Sequence, residues 1–275
     1  MTTMTATPTT LTQPAPGRVT QLRVSLSEWT KFRSVRSTRY ALLATVVLVI
    51  GLGLGNAAAT VSQWSTMTAV DRAAVSPLAT SLVGVNLGVL AIGVLGVLLM
   101  TSEFATGSIS STFAAVPRRL PVLWAKAGVF SLVTLVLSVP TMLIAFLSSQ
   151  AVLSASNLQI SLGQTGVAQA VLGSALYLTV AGLLGLGLGG ILRSTAAAVA
   201  TLAGILFVVP PLVAILPPTI SNAITPYLPS NAGQAIMHIG PQAHSLSPWV
   251  GFALFAGYAV AAIAGAAVLL VRRDA

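Results

Sequence analysis

Residues 167–190 read VAQAVLGSALYLTVAGLLGLGLGG, and residues 195–216 read TAAAVATLAGILFVVPPLVAIL. Neither run holds an Asp, Glu, Lys, Arg or His, and only a short link containing Arg193 and Ser194 separates them. A helix needs about 20 mostly apolar residues to cross a hydrocarbon core ~30 Å thick. A spanning β-strand needs about half that length and alternates in polarity, which these runs do not do. The pair therefore predicts two membrane-spanning helices. A charge held at mid-bilayer is costly, so Arg193 belongs in a tight turn at the membrane surface.

Working outward, four further stretches carry the same signature: 40–57, 78–100, 127–148 and 249–271. Only 6% of the 275 residues are charged, against roughly a quarter in soluble domains. The expected fold class is an all-α integral membrane protein with six transmembrane helices forming one domain, residues 18–275. Met1 to Gly17 is Thr- and Pro-rich without charged side chains. It reads as a disordered leader.

The basic residues orient the bundle. With the N-terminus inside, Arg18, Arg23, Lys31, Arg33, Arg36, Arg39, Arg118, Arg119, Lys126, Arg193, Arg272 and Arg273 are cytoplasmic, and only Arg72 is outside. This bias predicts a multi-pass plasma-membrane protein with both termini in the cytoplasm. The net charge of +9 is thus distributed as membrane proteins distribute it, in clusters between spans. A nucleic-acid partner would need a basic face on a soluble module.

Before the first span, Val19, Leu22, Leu26 and Trp29 share one helical face, with Phe32 at its edge. Lys31 lies opposite, with Arg33 close by in the sequence. This is a basic amphipathic helix suited to lying in the headgroup layer against membrane lipid, with Leu22, Leu26, Trp29, Lys31 and Arg33 as its working residues.

Catalytic chemistry finds no foothold. Cysteine is absent, which removes thiolate nucleophiles and metal sites. Gly185, Gly187 and Gly190 match a GxGxxG spacing but lie inside an apolar helix, where close helix packing explains them. Neither Lys31 nor Lys126 follows a glycine, so no nucleotide-binding loop is present. His238 and His244 precede the last span without a neighbouring carboxylate and make a weak metal site. The chain reads as a non-enzyme with no metal or cofactor of its own. No ionisable side chain lies within the six stretches, so ion coupling by such residues is disfavoured.

Polar side chains inside the spans are few. Ser131, Thr134, Ser138, Thr141 and Ser148 fall on one face of the third span, around Pro140. They read either as polar glue between helices or, for Ser131, Thr134, Ser138 and Thr141, as one wall of a transport path. Ser81, Gly84, Gly88 and Ala91 give the second span a small-residue face for helix packing.

Two loops stand out. Glu103-Phe104-Ala105-Thr106-Gly107-Ser108-Ile109, continuing to Arg119, is amphiphilic and basic at its end, suited to seating a short helix against another protein. The segment from Pro217 to Pro248 is proline-rich and too apolar for a solvated loop. Short helices dipping back into the membrane fit it better.

Ser27-Glu28-Trp29-Thr30-Lys31-Phe32-Arg33-Ser34-Val35-Arg36-Ser37-Thr38, the Glu103 to Arg119 segment and Leu228-Pro229-Ser230-Asn231-Ala232-Gly233 resemble the permease subunits of ABC type-2 transporters, particularly small actinobacterial ones. The resemblance implies a half-transporter that pairs with a second, identical permease and docks two copies of a separate ATP-binding subunit, which carries the ATP and Mg. It makes Glu103, Phe104, Thr106, Gly107, Ser108 and Ile109 the ATPase-coupling helix. It also makes the last outer loop a re-entrant cap over the path, with Ile224, Tyr227, Leu228 and Asn231 as its lid residues. The expected function is efflux of an amphipathic, drug-like or lipid-like substrate. The competing readings are a secondary carrier and a non-transporting membrane sensor or assembly protein.

Overall fold

The computed structural model describes residues 21–107, 119–240, 242 and 245–272. Regular structure among them is entirely helical. Six segments are long and apolar enough to cross a membrane: Arg36–Gln63, Pro77–Ala105, Leu120–Ser156, Val167–Leu192, Thr195–Ala214 and Pro248–Arg272, spans 1 to 6. The helix Gln21–Ser34 precedes them. One end of the bundle gathers this helix, the end of span 2, the start of span 3, the turn between spans 4 and 5, and the end of span 6. It is the charged end.

Spans 2 and 4 form the centre and are the most buried of the six, while span 5 is the least buried. Glycines set their separation. Gly96 faces the Gly182 carbonyl and Gly185 faces the Gly93 carbonyl, each too closely for a β-carbon. On the other side of span 4, a β-carbon at Gly187 would sit 2.7 Å from Ala262 Cβ of span 6. The glycine spacing of span 4 is thus a packing device, as the sequence predicts, and the structure gives it two partners. The small-residue face of span 2 meets span 1, and Gly84 abuts the Val49 backbone with Val49 Cα at 2.6 Å from a built β-carbon.

Two spans depart from their expected shape. The helix of span 3 begins well before residue 127, so Lys126 lies inside it. The apolar stretch 127–148 is itself free of charge, and the helix extends past it at both ends; Lys126 in the added turns is surrounded by acidic partners, as described below. In span 5 the α-helix widens to a π-helix over Gly204–Val208, immediately before Pro210 and Pro211. Those prolines lack amide hydrogens, and each ring crowds the carbonyl four residues back; a wider turn relieves that crowding.

At the end opposite the charged one, the chain between spans 5 and 6 folds into short helices at Pro218–Ile224 and Pro229–Gln234, each opening on a proline. Proline suits a first helical turn because its missing N–H has no partner there anyway. The second helix is wedged between spans 4 and 6. Gly233 lies against the rings of Tyr177 and Phe255, and Ile236 is fully buried. The first helix leaves Ile220 and Ile224 exposed.

Candidate functional site

The chain contains two glutamates, Glu28 and Glu103, and two lysines, Lys31 and Lys126. All four meet at the charged end. Lys126 Nζ donates to Glu28 Oε2 at 2.7 Å and to Glu103 Oε1 at 3.0 Å. Lys31 Nζ donates to Glu28 Oε1 at 2.8 Å and to Glu103 Oε1 at 3.2 Å. The side chains of Glu28, Lys126 and Glu103 are only 4%, 5% and 12% exposed. Each acid touches both bases, and the set is neutral, which is the condition for keeping charges out of water.

Three elements supply these groups. The helix Gln21–Ser34 carries Glu28 and Lys31, three residues apart and so on one face. It is held against span 3 by Val24 packing with Val122 and Ala125, and by Gln21 Nε2 donating to the Pro121 carbonyl at 3.0 Å. Phe32 is buried edge-on against Phe130 of span 3. Span 2 brings Glu103 in its last turn, and span 3 brings Lys126.

Electrostatics follow from the geometry. Burial pushes the Glu28 carboxyl up, but the charge and hydrogen bond of Lys126, together with those of Lys31, outweigh it and hold Glu28 below its ordinary value. Burial lowers Lys31, and its hydrogen bond to Glu28 and the charges of Glu103 and Glu28 reverse this, raising it above its ordinary value. Both groups are therefore locked in their charged forms near neutrality.

The next residue, Phe104, links in another direction. The Arg193 guanidinium lies over its ring at 4.9 Å from the centroid and donates to the Leu269 carbonyl of span 6 at 3.4 Å. Arg193 sits in the turn between spans 4 and 5 with a left-handed backbone, φ 53°. Thr195 Oγ1, opening span 5, donates to Thr101 Oγ1 of span 2 at 2.8 Å. The last turn of span 2 is thus connected to the helix Gln21–Ser34, span 3, the span 4–5 turn and, through Arg193, span 6. Thr106 Oγ1 then donates to the Ser102 carbonyl, and Gly107 adopts φ +67°, which ends the helix. Ser108 and Ile109 lie outside the described residues.

No protein-family model matches this chain, nor does any curated protein sequence.

The other expected site residues are distributed as follows. Leu22, Leu26, Trp29 and Arg33 form an exposed stripe, Leu22 at 72%, on the face turned away from span 3. Lys31 leaves that set for the ion network. Thr134, Ser138 and Thr141 are buried, and Ser131 is half-buried. Ser131, Thr134 and Thr141 donate to carbonyls of their own helix, at Ala127, Phe130 and Leu137. They therefore do not act as hydrogen-bonding glue between helices. Ser138 Oγ is buried without a hydrogen-bond partner among the described residues. Leu228 is buried, Asn231 half-buried, and Ile224 and Tyr227 exposed; the Tyr227 carbonyl accepts from the Tyr258 hydroxyl of span 6 at 2.9 Å. His238 lies at the end opposite the ion network, and His244 falls outside the described residues.

Sequence reasoning reached Glu103 and Lys31 but gave Glu28 and Lys126 no role. The available signal was numerical: two acids and two bases of these types in a chain this poor in charge, all bordering predicted spans.

Proposed function

We propose that this chain is the membrane permease subunit of an ATP-driven transporter of the ABC type-2 kind, exporting an amphipathic, drug-like or lipid-like substrate. It sits in the plasma membrane with the charged end facing the cytoplasm. Two copies pair, and each docks a separate ATPase subunit at the segment that follows Glu103.

The observation that carries this reading is the ion network. An ATPase pressing on the segment after span 2 would move Glu103 first, and Glu103 is bound to Lys31 and Lys126. Buried, hydrogen-bonded charges resist separation because each would be left unpaired in a poor solvent. Displacement at Glu103 is therefore carried to the helix Gln21–Ser34 and to span 3, while Phe104 and Arg193 carry it to spans 4 and 6. The exposed stripe of Leu22, Leu26 and Trp29, with the basic Arg33 beside it, suits a helix sliding in the headgroup layer. The helices Pro218–Ile224 and Pro229–Gln234 act as the outer lid. Ile224 and Tyr227, exposed on the single chain, meet the second protomer there.

Affinity purification of the full chain from its native membrane, with no tag on any ATPase, tests the proposal. A stoichiometric ATP-binding subunit should copurify, and its ATP hydrolysis should rise on association. A permease that purifies with no ATPase, yet exchanges substrate down an ion gradient in vesicles, would establish the carrier reading instead.

A further inference from the structure

At the end opposite the ion network, a crevice of about 490 Å³ opens between the start of span 2, the segment after span 3 and the segment leading into span 6. This is within the usual range of ligand sites, ~300–1,000 Å³. Five of its lining residues bring amide or imidazole groups: Asn86, Gln164, Gln234, His238 and Gln242. Among the described residues, no carboxylate, lysine or arginine lines it. The rest of the wall is largely apolar, with Leu82, Val83 and Met237 among its residues. His238 and Gln242 also border a second crevice, of about 380 Å³, which among the described residues likewise has no acidic or basic side chain besides the histidine.

We propose that the larger crevice is a binding site for an uncharged amphiphile, a hydroxyl- or amide-bearing headgroup attached to a short apolar tail. Side-chain amides offer donors and acceptors together, so they match hydroxyls and amides, which also do both. A phosphate or carboxylate would need cationic donors, and an ammonium would need acids, to offset lost hydration. The crevice supplies neither. Burial holds the His238 imidazole below its ordinary value, so it too is neutral at pH 7. The apolar wall takes the tail. The site lies beside the buried helix Pro229–Gln234, since Gln234 belongs to both. A ligand there would therefore contact the segment assigned above as the lid. This inference deepens the export reading by naming a neutral substrate class, and it rests on that reading for its role but not for its binding.

The test uses the full-length protein in lipid nanodiscs without any ATPase, and radiolabelled hexyl glucoside in equilibrium dialysis, with empty nanodiscs subtracted. Saturable binding of about one molecule per chain is expected. Hexyl phosphate and hexyltrimethylammonium, with the same tail, should fail to compete at tenfold higher concentration. Ala79 lines the crevice and is exposed, so Ala79→Trp fills it without disturbing the core and should weaken binding at least tenfold. Gln164→Ala, also at an exposed position, should weaken it severalfold. Uptake equal to empty nanodiscs, equal competition by the charged probes, or wild-type binding by both variants overturns the proposal. Failure of an ATPase to copurify would overturn the transporter reading and leave this binding result standing.

Discussion

Lys126 and Glu28 stand 98 positions apart in the chain and 2.7 Å apart in the structure. The bond between them joins a helix lying before the bundle to a helix inside it. Its energetics are asymmetric: a complete buried set is close to neutral for stability, whereas an incomplete one is expensive. Lys126→Met leaves Lys31 alone facing two buried carboxylates. It should lower unfolding free energy by about 3–5 kcal/mol. The double variant Lys126→Met, Glu28→Gln leaves Lys31 paired with Glu103, so no charge is uncompensated, and it should recover most of that loss. Thermal unfolding in detergent, followed by loss of monomeric protein, measures both.

The same network sets a pH window. Glu28 is lowered from its ordinary value of 4.5, so its contribution is present above that pH and is lost as pH falls through the depressed value. Lys31 is raised from 10.5, so its contribution is present below that pH and is lost as pH rises through the elevated value. The network's own contribution should therefore be flat between these limits and fall outside them, while His238, held below its ordinary 6.5, adds a separate decline as pH falls below that value. In the double variant Lys126→Met, Glu28→Gln the acid-side fall should shrink.

Coupling should depend on Glu103 and Phe104 separately. Glu103→Ala should weaken ATPase association or its stimulation while the permease still inserts and folds, at a cost in stability because Lys31 and Lys126 are left sharing Glu28. Phe104→Leu removes the ring under Arg193, an interaction worth ~0.5–2 kcal/mol. It should reduce stimulation with Glu103 intact. Stimulated ATP hydrolysis by the reconstituted complex distinguishes the two, and unchanged stimulation in both variants would move the coupling route elsewhere.

The glycine contacts make a graded series. Gly185→Ala drives a β-carbon into the Gly93 carbonyl, whereas Gly55→Ala meets nothing within 4 Å. The first should cost about 1–3 kcal/mol. The second should be neutral or slightly stabilising through helix propensity. Melting temperatures of the two proteins, purified side by side, check this.

The lid assignment separates two neighbouring positions. Leu228 is buried within the single chain and Ile224 is exposed on it. In this naturally cysteine-free protein, Leu228→Cys should resist a membrane-impermeant thiol reagent in every preparation. Ile224→Cys should resist it only when the second protomer is bound, and should react as fast as Val70→Cys, at an exposed position beyond span 1, when the protein is dispersed as a monomer. Rapid reaction of Ile224→Cys in intact cells would show that this segment is solvated and no lid.

How much of this was legible beforehand depended on the kind of interaction. Span existence follows from uninterrupted apolar runs, because the bilayer thickness fixes their length and little else competes. Glycine packing in span 4 was legible too, since small residues at helical spacing admit a close neighbour. Which neighbour each glycine meets was not, because that depends on the arrangement of spans 2 and 6 around it. That the span 3 helix begins ahead of its apolar stretch was not legible, because Lys126 reads as a loop residue until Glu28 and Glu103 are brought to it from far along the chain. The segment Pro217 to Pro248 was correctly suspected of burial at Leu228 and Ile236, where spans 4 and 6 cover it. At Ile220 and Ile224 the same composition leaves side chains uncovered.

The contact of Gly93 and Gly96 with Gly185 and Gly182 has a mechanical consequence. Where backbone abuts backbone, neither helix can rotate about its axis or slip by a turn without bringing a bulkier residue against a carbonyl. Spans 2 and 4 must travel together as one stiff blade. Glu103 and Phe104 are fixed to one edge of that blade, so a push received there becomes a tilt of the whole piece. Span 5 is the least embedded of the six and is softened midway by its widened turn at Gly204–Val208. It is the part of the bundle that can yield when the blade leans.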